Sequence, residues 1–399
     1  MRWLKAFVGL IVASYQFAGC FDPVCEGMME RGAQFRPRIL GPMPAAPIGG
    51  VVTGPDEASI IVSGPFPLDH LRWVHRRPRA GADELLATLS IDGEFGGGGV
   101  VLHGDRWWFA TGGRVESEYG ISFLDGAADG HVRSAFVAHP RLGPNLTLPL
   151  EGVAPRVLHL SFIGFDPYSL EAVEVLPQGI SRTWSLDPPQ QRTFSREHYS
   201  AEILPDQTVA VVSIERNAMR KTDVVLRILA EEARVTRSVL RTVDSAALVD
   251  TAVDRDGRLA VVMETGVGQS TIIEGAVFDP LDPKASWEVV SLPGAFSPSV
   301  VSTGHNFVVA WLRGPRPLVF EAREFSIAGA GLVTLEVGSA GGKDSVDSFA
   351  TMHAQEEEVT FLWQDDVGRL AVRTYSANLA GFALAQRIIE SVRRRIPLE

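Results

Sequence analysis

Seven apolar segments recur at nearly even intervals along this chain, and that spacing limits what it can fold into more than any other feature. They begin at Ser59, Trp107, Val157, Val209, Leu259, Phe307 and Val359, with steps of 48, 50, 52, 50, 48 and 52 residues. A short strand-like run and a tight turn stand before each. The clearest copy spans 297–311: Ser299-Val300-Val301-Ser302, then Thr303-Gly304-His305-Asn306, then Phe307-Val308-Val309-Ala310-Trp311. Glycine, Asn and Asp suit such turns because they tolerate positive φ or bond their own backbone. The first two copies also match in detail, Gly49-Gly50-Val51-Val52 being echoed by Gly98-Gly99-Val100-Val101.

Further strand-like runs complete each unit. Third strands are expected at 84–90, 119–124, 170–176, 223–229, 271–278, 318–325 and 369–376. Fourth strands are plainest at 132–138, 235–243, 287–292, 332–337 and 383–392. Helical periodicity is almost absent. One four-stranded unit has nothing to cover its faces, but units packed around a ring bury both. The expected fold is therefore all-β, a seven-bladed β-propeller with four antiparallel strands per blade, over residues 49–393. Its inner strands should pass near Val51, Val100, Leu148, Glu202, Val249, Val300 and Met352, and Trp311 and Trp363 should sit in equivalent, buried positions. A pair of β-sandwich domains is the competing architecture; equal spacing favours the ring.

The first unit departs from the pattern, because 64–83 is about twice as long as the gap elsewhere. Even spacing puts this stretch outside the ring, on one rim, between second and third strands. The alternative register makes 70–77 the second strand.

The N-terminus reads as an address. Arg2 and Lys5 precede a short apolar run, 6–14, and then Phe17-Ala18-Gly19-Cys20. These are the parts of a secretory signal, and the run is too short to span a bilayer, which takes about 20 residues. Ala18-Gly19 before Cys20 resembles the lipobox of bacterial lipoproteins. The resemblance implies removal of residues 1–19 and acylation of Cys20. With Phe21 in place of the Asp that favours inner-membrane retention in that family, it implies the outer membrane. A secreted protein with Cys20 paired to Cys25 is the alternative. Residues 20–48, rich in Pro, read as a tether, with a short strand possible at Arg38-Ile39-Leu40, and 394–399 as a tail. Over roughly 46–393 the period and pattern resemble divergent propeller lipoproteins of bacteria.

Composition excludes some partners. The net charge is −11, near −13 once Arg2 and Lys5 are removed, which argues against nucleic acid. With only two cysteines, no Cys-rich zinc site can be built. No metal or other cofactor is expected.

The densest local signal is His70, Arg72, Trp73, His75, Arg76, Arg77 and Arg79 in ten residues of an acidic protein. Arg and Trp anchor interfaces, so Arg72, Trp73, His75, Arg76 and Arg77 are the candidate binding residues, against the alternative of a solvated hairpin. Asp254-Arg255-Asp256-Gly257 looks like the opening of a calcium loop, but the twelfth residue is Thr265 where a Glu is needed, so a hairpin turn is favoured. His103, His159 and His353 lie on different units, and satisfied or solvent-facing histidines are the simpler reading. Arg393-Arg394-Arg395 reads as a solvated tail. No nucleophile elbow, P-loop, zincin helix or dinucleotide fingerprint occurs, and no catalytic residue is assigned. The expected function is a monomeric, lipid-anchored binding or scaffold propeller at the outer membrane, with an unknown envelope protein or glycan as partner. The competing function is a propeller hydrolase acting on envelope or extracellular glycans, using acids near the inner strands such as Glu151, Glu202 and Asp250.

Overall fold

In a computed structural model of the chain, the described residues fall between 38 and 376; residues 1–37, 377–399 and parts of several connecting loops lie outside them. The described strands form seven four-stranded sheets with every pairing antiparallel. Six of these sheets are continuous in sequence. They are β2 to β5 (Pro47–Gly54, Glu57–Ser63, His70–Arg76, Asp83–Ser90), β6 to β9 (Gly98–His103, Arg106–Val115, Glu118–Ala127, Val132–Ala138) and β10 to β13 (Leu146–Pro149, Val157–Ile163, Ser169–Leu176, Gly179–Leu186). The other three are β14 to β17 (Tyr199–Ile203, Val209–Arg216, Thr222–Leu229, Val235–Val243), β18 to β21 (Ala246–Val253, Leu259–Thr265, Ile272–Phe278, Glu288–Val289) and β22 to β25 (Ala295–Ser302, Phe307–Arg313, Leu318–Ser326, Gly329–Ala340). The remaining sheet is composite. Its order is β1-β28-β27-β26, joining Arg38–Pro42 to Arg369–Ser376, Glu358–Gln364 and Ala350–Gln355.

The expectation of seven like blades, each cut from its own stretch of 49–393, is corrected by this topology. The chain makes six self-contained blades of four antiparallel strands, and closes the propeller with a sheet drawn from both ends. The fourth strand of that sheet is β1, from the span read as tether. The strand expected at 383–392 lies outside the described residues. The first strands β2, β6, β10, β14, β18, β22 and β26 contact one another in that order, and β26 returns to β2, so they surround a common axis. All seven expected inner-strand positions lie on these strands.

The first unit also needs correction. His70–Arg76 is neither a rim excursion nor the second strand. It pairs with β3 on one side and β5 on the other, and 84–90, read as third strand, lies in the fourth. Arg and His disguised a polar–apolar alternation through Leu71 and Trp73, which suits a strand far from the axis.

The core lies between blades. The second strands β15, β19 and β23 are buried along nearly their whole length, and alternate residues face opposite neighbours. On β19, Leu259, Val261 and Met263 pack with Val212 and Ile214 of the preceding blade. Ala260 and Val262 pack instead with Val300 and Val309 of the following one. Each fully buried Val or Leu contributes about 1.5–3 kcal/mol. Trp311 and Trp363 hold equivalent places, four residues past their anchors, each 1% exposed. Far from the axis the pattern loosens, and β17 alternates between exposed and half-buried residues.

One turn is built twice on an Asp-x-x-Gly-Arg pattern. In Asp254-Arg255-Asp256-Gly257-Arg258, the Asp254 carboxylate accepts from the Asp256 and Arg258 amides and from the Arg258 guanidinium. In Asp365-Asp366-Val367-Gly368-Arg369, Asp365 does the same with Val367 and Arg369. Gly257 and Gly368 sit at φ +79° and +85°, which any side chain would strain. The hairpin reading of Asp254 therefore holds: its carboxylate is committed to the turn.

Candidate functional site

First strands bring polar groups together around the axis at one level. Ser200, Asp250 and Ser299 each pair with the third residue past the anchor of the second strand: Val212, Val262 and Ala310. They therefore stand side by side on β14, β18 and β22, three successive blades. Asp250 is the centre of this girdle. Ser200 Oγ donates to its Oδ1 over 3.3 Å, and the Val300 amide donates to its Oδ2 over 2.9 Å. The Thr251 amide and the Ser299 hydroxyl bond it as well. Ser200 Oγ is also 2.7 Å from Thr251 Oγ1.

Asp250 as a whole keeps some exposed surface, while its carboxyl lies deep within the ring. Burial raises its pKa above the usual aspartate value, outweighing the four hydrogen bonds that favour the charged form. Between the ordinary aspartate pKa and the raised one, the folded protein holds a proton here that the unfolded chain would release. The stability this contributes is fully present below the ordinary aspartate pKa and is lost as pH rises through the raised one. Asp250→Asn keeps a neutral group of the same shape, so its melting temperature should fall less than wild type over that window. Parallel melting curves for the two proteins across pH would contradict the shift.

Glu202 lies on β14, two residues beyond Ser200, and is buried. Of the acids considered from sequence, Glu202 and Asp250 are thus placed on adjacent axial strands, while Glu151 lies outside the described residues. The histidines do not converge. His353, on β26, has Nε2 2.7 Å from Gly50 O at the seam with the first blade; burial lowers its pKa, against the opposing effect of that hydrogen bond. His159 is on the second strand β11, with Nδ1 3.2 Å from Thr147 Oγ1, and burial lowers its pKa to about 3. His103 ends β6, and its side chain is outside the described residues. Among the described residues no cluster of three or more His, Cys, Asp or Glu is arranged to hold a metal ion.

The binding residues expected from sequence are only partly placed. Arg72, Trp73, His75 and Arg76 lie on β4, third from the axis, with Trp73 opposite Ile61 and Ala87. Cys20, Arg77 and Arg393-Arg394-Arg395 lie outside the described residues. Sequence reasoning missed Ser200, Thr251 and Ser299. Their signal was present as polar residues eight or nine places before the anchors of neighbouring units.

No protein-family model matches the sequence, and no curated protein matches it. Solved structures do resemble the fold. Polysaccharide lyase Uly1 aligns at 8% identity with a TM-score of 0.50, covering 84% of this chain and 91% of that one. A protein of unknown function from Dyadobacter fermentans aligns at 12% identity and 0.46, covering 70% and 94%. The Hadza microbial sialidase Hz136 aligns at 12% and 0.43, covering 71% and 66%. At these identities the likeness is one of fold. The chain is a β-propeller with repeated blades, similar in architecture to Uly1.

Proposed function

We propose that the chain is an exported, lipid-anchored β-propeller that cleaves a glycan bound at the axis of its ring, with Asp250 as the acid. The observation that supports this most is the Asp250 carboxyl, whose pKa burial raises above the usual aspartate value, set between hydroxyl-bearing strands. A neutral carboxyl can protonate the glycosidic oxygen as the bond breaks. Glycoside hydrolysis also needs a second carboxyl, and Glu202 on the adjacent strand is the candidate. Uly1 is by name a polysaccharide lyase, which makes polysaccharides the first substrate class to try.

The test is a panel of neutral and uronic-acid polysaccharides, read by the appearance of new chain ends. Wild type should cleave at least one, and Asp250→Asn should be slower by about 10²–10⁴-fold. Cleavage should also decline as pH rises through the raised Asp250 pKa, because the acid must carry its proton. No cleavage by wild type, or equal cleavage by Asp250→Asn, would overturn the reading.

A second reading keeps the propeller as a binding or scaffold module. It is favoured by the number of hydrogen bonds on Asp250, which suit a latch between three strands. The contact surface would then include Arg72, Trp73, His75, Arg76 and Arg77, with a glycan or an envelope protein as partner. Binding without cleavage would select it. Both readings share the address: acylated Cys20, an outer-membrane anchor, and a ring facing the periplasm or the cell surface. Cys20→Ser should move the protein from the membrane fraction to the soluble one, and an unchanged membrane fraction would remove the anchor.

A further inference from the structure

We propose that one rim of the ring, formed by the turns of the blades β14–β17, β18–β21 and β22–β25, rests on an anionic lipid bilayer. The inference rests on the membrane-anchored reading for its choice of partner.

Strand order brings the turns together. First strands lie side by side around the axis, so connections from second to third strand, and from fourth strand to the next blade, emerge on one face. Met219 projects there between β15 and β16, Val267 between β19 and β20, and Leu292 between β21 and β22. Met219 and Val267 are each 74% exposed, and Leu292 is 54% exposed. Their turns are internally bonded. Asn217 Oδ1 accepts from the Met219 and Lys221 amides, and Ser270 Oγ donates to Val267 O. The Gly294 amide donates to Thr271 O over 2.7 Å, and the Gly314 amide to Gly294 O over 3.3 Å. These two bonds join the Val267 and Leu292 turns to each other and to the next blade. Large apolar side chains held in water on one rim by ordered turns mark a contact surface.

Charge selects the partner. Within and between these three blades, the connections on that face are 217–221, 244–245, 266–271, 290–294 and 314–317; their sequence holds one acid, Asp244, and three bases. Lys221 bridges that acid at 3.3 Å. Arg216 and Arg220 stand exposed on either side of Met219. On the opposite face the connections 204–208, 230–234, 254–258, 279–287, 303–306 and 327–328 hold seven acids and four bases. An acidic chain thus turns one apolar, basic rim to one side. Apolar tips enter the headgroup boundary while neighbouring cations meet anionic lipid. The anchor can reach this rim. Cys20 stands 18 positions before Arg38. A chain of that length spans up to about 60 Å, more than twice the height of a seven-residue strand.

The test uses the mature chain, residues 20–399, as Cys20→Ser, so that neither an acyl group nor the apolar run 6–14 contributes. It should co-sediment with vesicles of mixed phosphatidylglycerol and phosphatidylcholine. Binding should be about tenfold weaker to phosphatidylcholine alone and should fall as salt rises. Met219→Ser, Val267→Ser and Leu292→Ser together should weaken it about tenfold or more, and Arg216→Gln with Arg220→Gln by a similar factor. If the triple variant melts early, the single substitutions stand in, each with a smaller loss. Leu281→Ser, at a 72% exposed position on the opposite face, should bind like the parent. No binding to the mixed vesicles, binding that survives both sets of rim substitutions, or an equal loss in Leu281→Ser would overturn the proposal. So would a rim that instead pairs two copies of the chain in solution, read by sedimentation. Such a failure leaves acylation of Cys20 standing, because that is read from the membrane fraction of the wild-type protein.

Discussion

Deleting residues 1–42 should open the ring, whereas deleting 1–25 should leave it closed. The difference is β1. Its five residues pair with β28, Arg38 opposite Val372 and Pro42 opposite Arg369, and complete the one sheet that no continuous unit supplies. Leu40 is buried in that sheet. Without β1 the edge of β28 exposes a row of unpaired backbone groups, a template for a strand from another molecule. The expected result for the longer deletion is a lower, broader melting transition and concentration-dependent association by sedimentation. Leu40→Ala, which keeps the strand, should lose about 2–5 kcal/mol. A longer deletion that stays monomeric and melts like wild type would mean the ring closes without its first strand.

The second large effect is expected at Arg227. This guanidinium is 1% exposed, between β15 and β16, where it bonds the Glu215 carboxylate and, at 3.0 Å, Ser213 Oγ. Ser213 in turn donates to Glu215 over 2.6 Å, and Arg237 approaches the far oxygen at 3.4 Å. Removing a charge from water is tolerable only with a paired opposite charge. Glu215→Ala should therefore lose about 3–5 kcal/mol by urea denaturation, through the guanidinium left behind. Replacing both partners by apolar residues, Glu215→Leu with Arg227→Met, should recover most of that loss. If the double variant is no better than the single one, the penalty is lost packing rather than stranded charge.

How much of this was legible in the sequence follows from which interactions are local. Second strands such as 259–265 and 307–313 are buried on both faces, so they read as apolar runs, and their even spacing gave the ring and its axial strands. Closure was not legible, because β1 meets a partner more than 300 residues away and five residues carry no period. His70–Arg76 was misplaced because its charges looked like a surface loop, although outer strands tolerate charge. Asp250 and Glu202 could be named as acids near inner strands. The raised pKa of Asp250 could not, since it arises from burial of the carboxyl among neighbouring blades, against hydroxyls and amides that favour its charged form. Cys20 and the lipobox remain a reading of residues alone.

The axial site itself is tested most directly by the Asp250 side chain. In protein carrying 13C-labelled aspartate, an oligosaccharide drawn from any polysaccharide the protein binds or cleaves should shift the Asp250 carboxyl resonance and displace its titration. That same oligosaccharide should leave Asp365, in its turn at the rim, unmoved. A saturable oligosaccharide complex in which the Asp250 resonance and titration stay as they were would place the ligand elsewhere on the propeller and contradict the axial site.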